Sequence, residues 1–162
     1  NQIHQRERTE IDPNVEKRSR ILEQSIMTEI ISNKAEITAD IGSVFSFLED
    51  MNNYELLLPK DNISNWEANG EHFSCKIQNT YKISLKKNGK IENSEIRLVS
   101  TEDSPLRFNL DIKLSVIDQN VTGAQLYCNA DLNPFLKMMA LNPLQNLFNY
   151  MANRLEKVFP TN

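Results

Sequence analysis

Apolar and polar residues change their spacing twice along this chain. From 29 to 38 the β-branched content, with Ile31, Ala35 and Ile37 apolar among polar neighbours, predicts a strand. Asp40 is placed to cap a helix over 41–49, where Ile41, Val44, Phe45 and Leu48 recur at helical spacing. Asn52-Asn53 breaks it, and a second short helix over 54–58 ends before Pro59. The period then becomes two. A short strand over 63–66 meets a hairpin turn at Asn69-Gly70. Strands follow over 72–78 and 81–87, then a second hairpin turn at Asn88-Gly89, then strands over 91–100, 107–117 and 121–132. Their apolar phases hold Phe73, Cys75 and Ile77; Tyr81, Ile83 and Leu85; Ile96 and Leu98; Phe108, Leu110 and Ile112; Leu126, Cys128 and Ala130.

The last stretch returns to helical spacing and contains Asn-Pro twice, at 133–134 and 142–143. Each pair is a good N-cap followed by a good first helical residue. Two helix starts are therefore expected: a short segment over 134–141 and a main helix over 143–158. A helix running through Pro143 would lose one hydrogen bond and gain a clash, at ~3 kcal/mol. The main helix carries an apolar stripe of Leu144, Leu147, Phe148, Met151, Leu155 and Val158. The short segment, with Phe135, Leu136, Met138, Met139 and Leu141, is apolar nearly all round and is expected to need contacts on several sides.

Clean alternation over six consecutive strands means an antiparallel sheet with one wet face. The first strand must join its edge and the last helix must cover its apolar face, giving an α+β, two-layer architecture. Three stretches carry a likeness beyond this pattern: ADIGSVFSFLEDMNNYELLLP at 39–59, SPLRFNLDIKLSV at 104–116 and ADLNPFLKMMALNPLQNLFNYMANRLEKV at 130–158. Together they resemble the START-like superfamily, also called SRPBCC. The first is similar to the opening of coenzyme-Q-binding and polyketide-cyclase-like members, the last to the closing helix of small uncharacterised bacterial members. The resemblance implies a helix-grip fold: a seven-stranded curved antiparallel sheet wrapped around a long C-terminal helix, in the order β-α-α-β6-α. It spans the domain expected at 28–160 and leaves 1–27 as an extension, a tail with a helix from Asp12-Pro13 through 26. The superfamily includes lipid carriers, cyclases and aromatases, hydrolase-like members, ubiquinone-binding proteins and partner-binding regulators.

Composition narrows the chemistry. A net charge of -4 argues against a nucleic-acid partner. The first 26 residues lack an apolar signal core, and no stretch approaches the ~18 apolar residues of a membrane span, so a cytoplasmic protein without stable membrane insertion is expected. The cysteines, Cys75 and Cys128, fall in apolar strand phases and read as reduced, buried thiols. His4 and His72 are the only histidines, neither among converging ligands, so no metal is expected. There are four glycines and no phosphate-binding glycine loop, and no cofactor is implied. Lys82, Lys86, Lys87 and Lys90 cluster at one hairpin, as a solvated face or one for an anionic partner.

No inward strand position holds a carboxylate, histidine or lysine, so no catalytic residue is assigned. The expected activity is non-catalytic binding or transport of a small hydrophobic ligand (lipid, quinone or polyketide-like). Its cavity walls would be Trp66, Phe73, Cys75, Tyr81, Ile83, Leu98, Phe108, Leu110, Ile112, Leu126 and Cys128 from the sheet side, with Met138, Met139, Leu147 and Met151 from the helix. Plain core packing of the same residues stays open. So do a cyclase- or aromatase-like enzyme using the hydroxyls of Tyr81, Ser94 and Thr122, and an interaction module with a vestigial cavity. A homodimer through residues 13–26 is the partnership the extension would offer.

Overall fold

A computed structural model describes residues 12–14, 26–79 and 81–159, with Ile26 described by its backbone alone. Its elements are β1 (Ile26–Ile31), β2 (Ala35–Ile37), α1 (Ile41–Glu49), 3-10 helices at Met51–Leu57 and Lys60–Asn62, β3 (Ile63–Asn69), β4 (His72–Ile77), β5 (Tyr81–Ile91), β6 (Glu95–Ser100), β7 (Arg107–Asp118), β8 (Val121–Leu132) and α2 (Pro134–Val158). The strands form one antiparallel sheet, ordered β1-β8-β7-β6-β5-β4-β3, with β2 also pairing β8. The sheet curves around α2, and the architecture is the α+β helix-grip fold. The strand alternation places Phe108, Leu110, Ile112 and Leu114 of β7 and Ala124, Leu126, Cys128 and Ala130 of β8 in one core. As expected, Asp40 caps α1: its carboxylate accepts from the Ser43 amide at 3.1 Å and hydroxyl at 2.6 Å, which lowers its pKa.

Four local readings are corrected. The strand expected over 29–38 is two strands, because Ile31 pairs with Tyr127 while Ala35 pairs with Ala124. Four steps on one side against three on the other leave an extra residue, and Ser32 fills the break, donating to the Asn33 carbonyl and accepting from the Leu126 amide. The second short helix is the 3-10 helix Met51–Leu57, started by the Asp50 carboxylate accepting from the Asn52 amide.

Asn88-Gly89 is not a hairpin turn. β5 runs on to Ile91 through a bulge, with Gly89 at φ 109° supplying the left-handed residue. Lys90 donates to the Glu49 carboxylate of α1 at 3.0 Å, and Lys87 approaches it at 3.9 Å. Reversal comes later, at residues 92–94, with Asn93 at φ 56°.

The fourth correction concerns α2, which is one helix through Pro143. Its cap is Asn133, whose side chain accepts from the Leu136 amide at 2.8 Å. Leu136 and Ala140 lie in phase with Leu144, Phe148, Met151 and Leu155, so one continuous stripe meets the sheet. Each large side chain it buries contributes roughly 1.5–3 kcal/mol, enough over several residues to offset the ~3 kcal/mol cost of the proline. The Met139 carbonyl is left without its intrahelical donor. The extension expected at 1–27, with its dimer arm over 13–26, lies outside the described residues except near its ends. There Asp12 accepts from the Asn14 amide at 2.9 Å, as a cap does, and Met27 stands in β1.

Candidate ligand cleft

Between the sheet and the middle of α2 lies a cleft that the inward strand phases build directly. Ile77 of β4 and Tyr81 and Ile83 of β5 form one wall; Ala140, Pro143, Leu144 and Leu147 of α2 form the other. Leu106 closes one end, delivered by the β6–β7 loop. That loop is held by the Ser104 hydroxyl donating to the Leu106 carbonyl at 2.9 Å and by the Phe108 amide donating to the Ser100 hydroxyl at 3.0 Å. The cleft holds about 40 Å³. A deeper void of about 10 Å³, lined among others by Leu58, Phe73, Cys75, Leu85, Phe108, Leu110, Phe148 and Met151, shares Ile77, Ile83 and Leu147 with it. A single water needs roughly 10–15 Å³ and a drug-sized ligand roughly 300 Å³ or more. In this conformation the helix is closed down on the sheet.

Of the side chains expected to wall a cavity, Phe73, Cys75, Tyr81, Ile83, Phe108, Leu110, Leu147 and Met151 do line these spaces. Leu98, Ile112, Leu126 and Cys128 are buried in solid core beyond them. Trp66 is turned inward by a β3 bulge, where Asn65 takes φ 54°, and stacks on Phe73 with ring centroids 5.0 Å apart. Met138 and Met139 do not form a wall: they are 81% and 49% exposed, and Phe135 is 62% exposed. Continuity of α2 is the reason, since inward Leu136 and Ala140 rotate these three toward solvent. The expectation that this segment would be contacted on several sides is corrected accordingly. Leu58, Ile77, Leu85, Leu106, Ala140, Pro143, Leu144 and Phe148 also line these spaces, beyond the residues expected from sequence. Ile77, Leu85, Leu144 and Phe148 lie in the apolar phases that periodicity identifies; Leu58, Leu106 and Ala140 lie outside them, and Pro143 carries the signal of a helix boundary.

Within the cleft and the void below it, the hetero-atoms on side chains are the Tyr81 hydroxyl, the Cys75 thiol and the Met151 thioether. Burial pushes Cys75 up to about 11; burial and then the Asp111 carboxylate push Cys128 up to about 12. Both thiols are therefore protonated and poor nucleophiles at neutral pH. The hydroxyls an enzyme would need do not converge. Ser94 stands in the exposed β5–β6 turn, and the Thr122 hydroxyl donates to the Ala39 carbonyl at 2.8 Å, away from Tyr81. Among the described residues no three His, Cys, Asp or Glu side chains gather as a metal site.

Polar groups concentrate on the outer sheet face instead. His72 Nε2 lies 2.8 Å from Ser84 Oγ, which also accepts from the Thr101 hydroxyl at 2.6 Å. Ser84 is fully buried, so this is a sealed packing network rather than a reachable nucleophile. The clustered lysines are largely matched by acids: Lys82 with Asp103 at 3.8 Å, Lys87 with Glu71 at 3.5 Å, and Lys90 with Glu49. Two open grooves of about 310 and 560 Å³ cross the outer face, lined by mixed charges such as Arg107 with Asp131 and Lys34 with Glu36. They are larger than the inner cleft but open to solvent and edged by charges, unlike a pocket that encloses an apolar ligand.

No family model matches the sequence, and no curated protein matches it. Solved structures do resemble it. A START superfamily protein from Mycobacterium smegmatis superposes with a TM-score of 0.58 at 13% identity, covering 82% of this chain and 98% of that one. An uncharacterised protein from Bacillus thuringiensis gives 0.64 at 12% identity, covering 82% and 98%. Norcoclaurine synthase from Thalictrum flavum, as a point mutant in complex with a transition-state analogue, gives 0.66 at 10% identity, covering 83% and 95%. At these identities the likeness is one of fold, and the fold is START-like.

Proposed function

We propose that this protein binds a small hydrophobic molecule, of lipid, quinone or polyketide-like character, without transforming it. The observation that carries this is the apolar cleft beneath the one helix segment that is proline-interrupted and only half packed. Past Pro143, α2 is tied to its surroundings: Gln145 donates to the Ile31 carbonyl, Asn149 accepts from the Asn33 amide, Glu156 accepts from the Glu36 amide, and Arg154 donates to the Leu56 carbonyl. Before Pro143, no side-chain hydrogen bond reaches the sheet among the described residues. Lifting this half exposes the cleft without disturbing the clamp below it. Apolar burial of the ligand, at roughly 25 cal/mol per Å², would drive binding against the ordering cost. Norcoclaurine synthase, which holds a small ligand in the same fold, lends support by analogy. A cytoplasmic carrier fits this reading, and no helix among the described residues is long and apolar enough to cross a membrane.

The test is extraction and mass spectrometry of the natively purified protein beside an Ala140→Trp variant, whose indole would fill the cleft. A hydrophobic compound recovered with the native chain and absent from the folded variant is expected. Equal recovery from both, or none from either together with no uptake of an added apolar probe, would contradict the proposal.

A further inference from the structure

The polarity of the cleft narrows the ligand further, on the premise that the proposed binding site is correct. We infer that the ligand is uncharged, enters apolar end first, and leaves a single hydrogen-bonding group at the Tyr81 hydroxyl. The deep void is walled by carbon and two weakly polar sulfurs, the protonated Cys75 thiol and the Met151 thioether. Nearer solvent, Tyr81 is the one hydrogen-bonding side chain in the wall. It is half-buried, its hydroxyl makes no hydrogen bond among the described residues, and it is not one of the buried atoms that lack a partner. It is therefore free and reachable.

No charged side chain lines this space. Lys82, the next residue, is in the opposite strand phase and pairs with Asp103. Lys137 is half-buried, one turn before Ala140 on α2, and is not among the side chains that line the cleft. Lys76, which follows Cys75, is exposed on the outer face. A carboxylate or ammonium drawn into the cleft would lose its water and gain no charged partner from the walls, whereas a hydroxyl or carbonyl has less water to lose and would keep one hydrogen bond through Tyr81.

The experiment titrates the full chain with 1-decanol, decanoate, decylammonium and naphthalene at about pH 8, where the acid and the amine are ionised. Binding is read calorimetrically in the native protein and in Tyr81→Phe. Decanol is expected to bind at least about tenfold more tightly than either ion. Tyr81→Phe should weaken decanol by roughly fivefold, the scale of one net hydrogen bond, and leave naphthalene unchanged. Decanoate or decylammonium binding as tightly as decanol would overturn the uncharged class while leaving the cleft as a ligand site. Equal weakening of decanol and naphthalene by Tyr81→Phe would overturn the role of the hydroxyl. Failure of all four probes would overturn the inference and the proposed function together.

Discussion

The two halves of α2 are one helix by geometry and two by energetics. From Leu144 onward the helix buries Leu144, Phe148, Met151, Ala152 and Leu155 and fastens its polar side chains to backbone groups of β1, the β1–β2 connection, β2 and the first 3-10 helix. From Pro134 to Asn142 it buries only Ala140, turns Phe135, Met138 and Met139 to water, and ends at a proline that removes one backbone hydrogen bond. A helix need not be uniformly stable to be continuous. Segments with few buried contacts open at much lower free energy than the global unfolding, and ligand-admitting elements are drawn from that end of the range. The cleft lies beneath the junction between the two halves.

The largest effect should come from the clamp. Phe148→Ala removes a fully buried ring and is expected to cost about 3–5 kcal/mol in chemical denaturation. A loss below about 1 kcal/mol would mean the second half is not the anchor. Next is Pro143→Ala. Restoring the Met139 hydrogen bond should stabilise the chain by about 2 kcal/mol, after allowing for the greater freedom of the unfolded alanine chain. It should also slow uptake of an apolar probe in stopped-flow measurements. Faster uptake would invert the comparison.

A smaller effect comes from the thiols. With folded values near 11 for Cys75 and 12 for Cys128, above their ordinary value of 9.0, the folded chain holds more protons than the unfolded one in this range. Their contribution is fully present below about pH 9 and is lost as pH rises toward 11 and 12. Denaturation midpoints should fall over that window, and a Cys75→Ala, Cys128→Ala double variant should show a shallower fall. The smallest change is expected of Met138→Ser, within about 0.5 kcal/mol, because its side chain is mostly in water. A large loss there would show that the first half is packed after all.

Much of this fold was legible from periodicity, because each strand of the meander buries one face and exposes the other. What misled were strong local signals overruled by packing. Asn88-Gly89 is good turn chemistry, yet Lys90 anchors the strand to Glu49 and the same glycine serves a bulge instead. Asn142-Pro143 is good cap chemistry, yet Leu136 and Ala140 extend the buried stripe and the helix does not restart. The site was half legible. Strand phase identified Phe73, Tyr81 and Ile83 as inward, but it cannot tell an inward residue facing a void from one in solid core. Leu98 and Cys128 share the phase and differ only in where the helix comes down. Met138 and Met139 were misplaced because their orientation depends on whether the helix is continuous.

Hydrogen exchange, residue by residue, with and without bound 1-decanol, tests the central claim most directly. Without ligand, amides over 135–142 should exchange at least about tenfold faster than those over 146–157. With ligand, protection should rise over 135–142 and the β6–β7 loop. Uniform exchange along α2, or protection that rises only on the outer face of the sheet, would contradict a cleft opened by the first half of the helix.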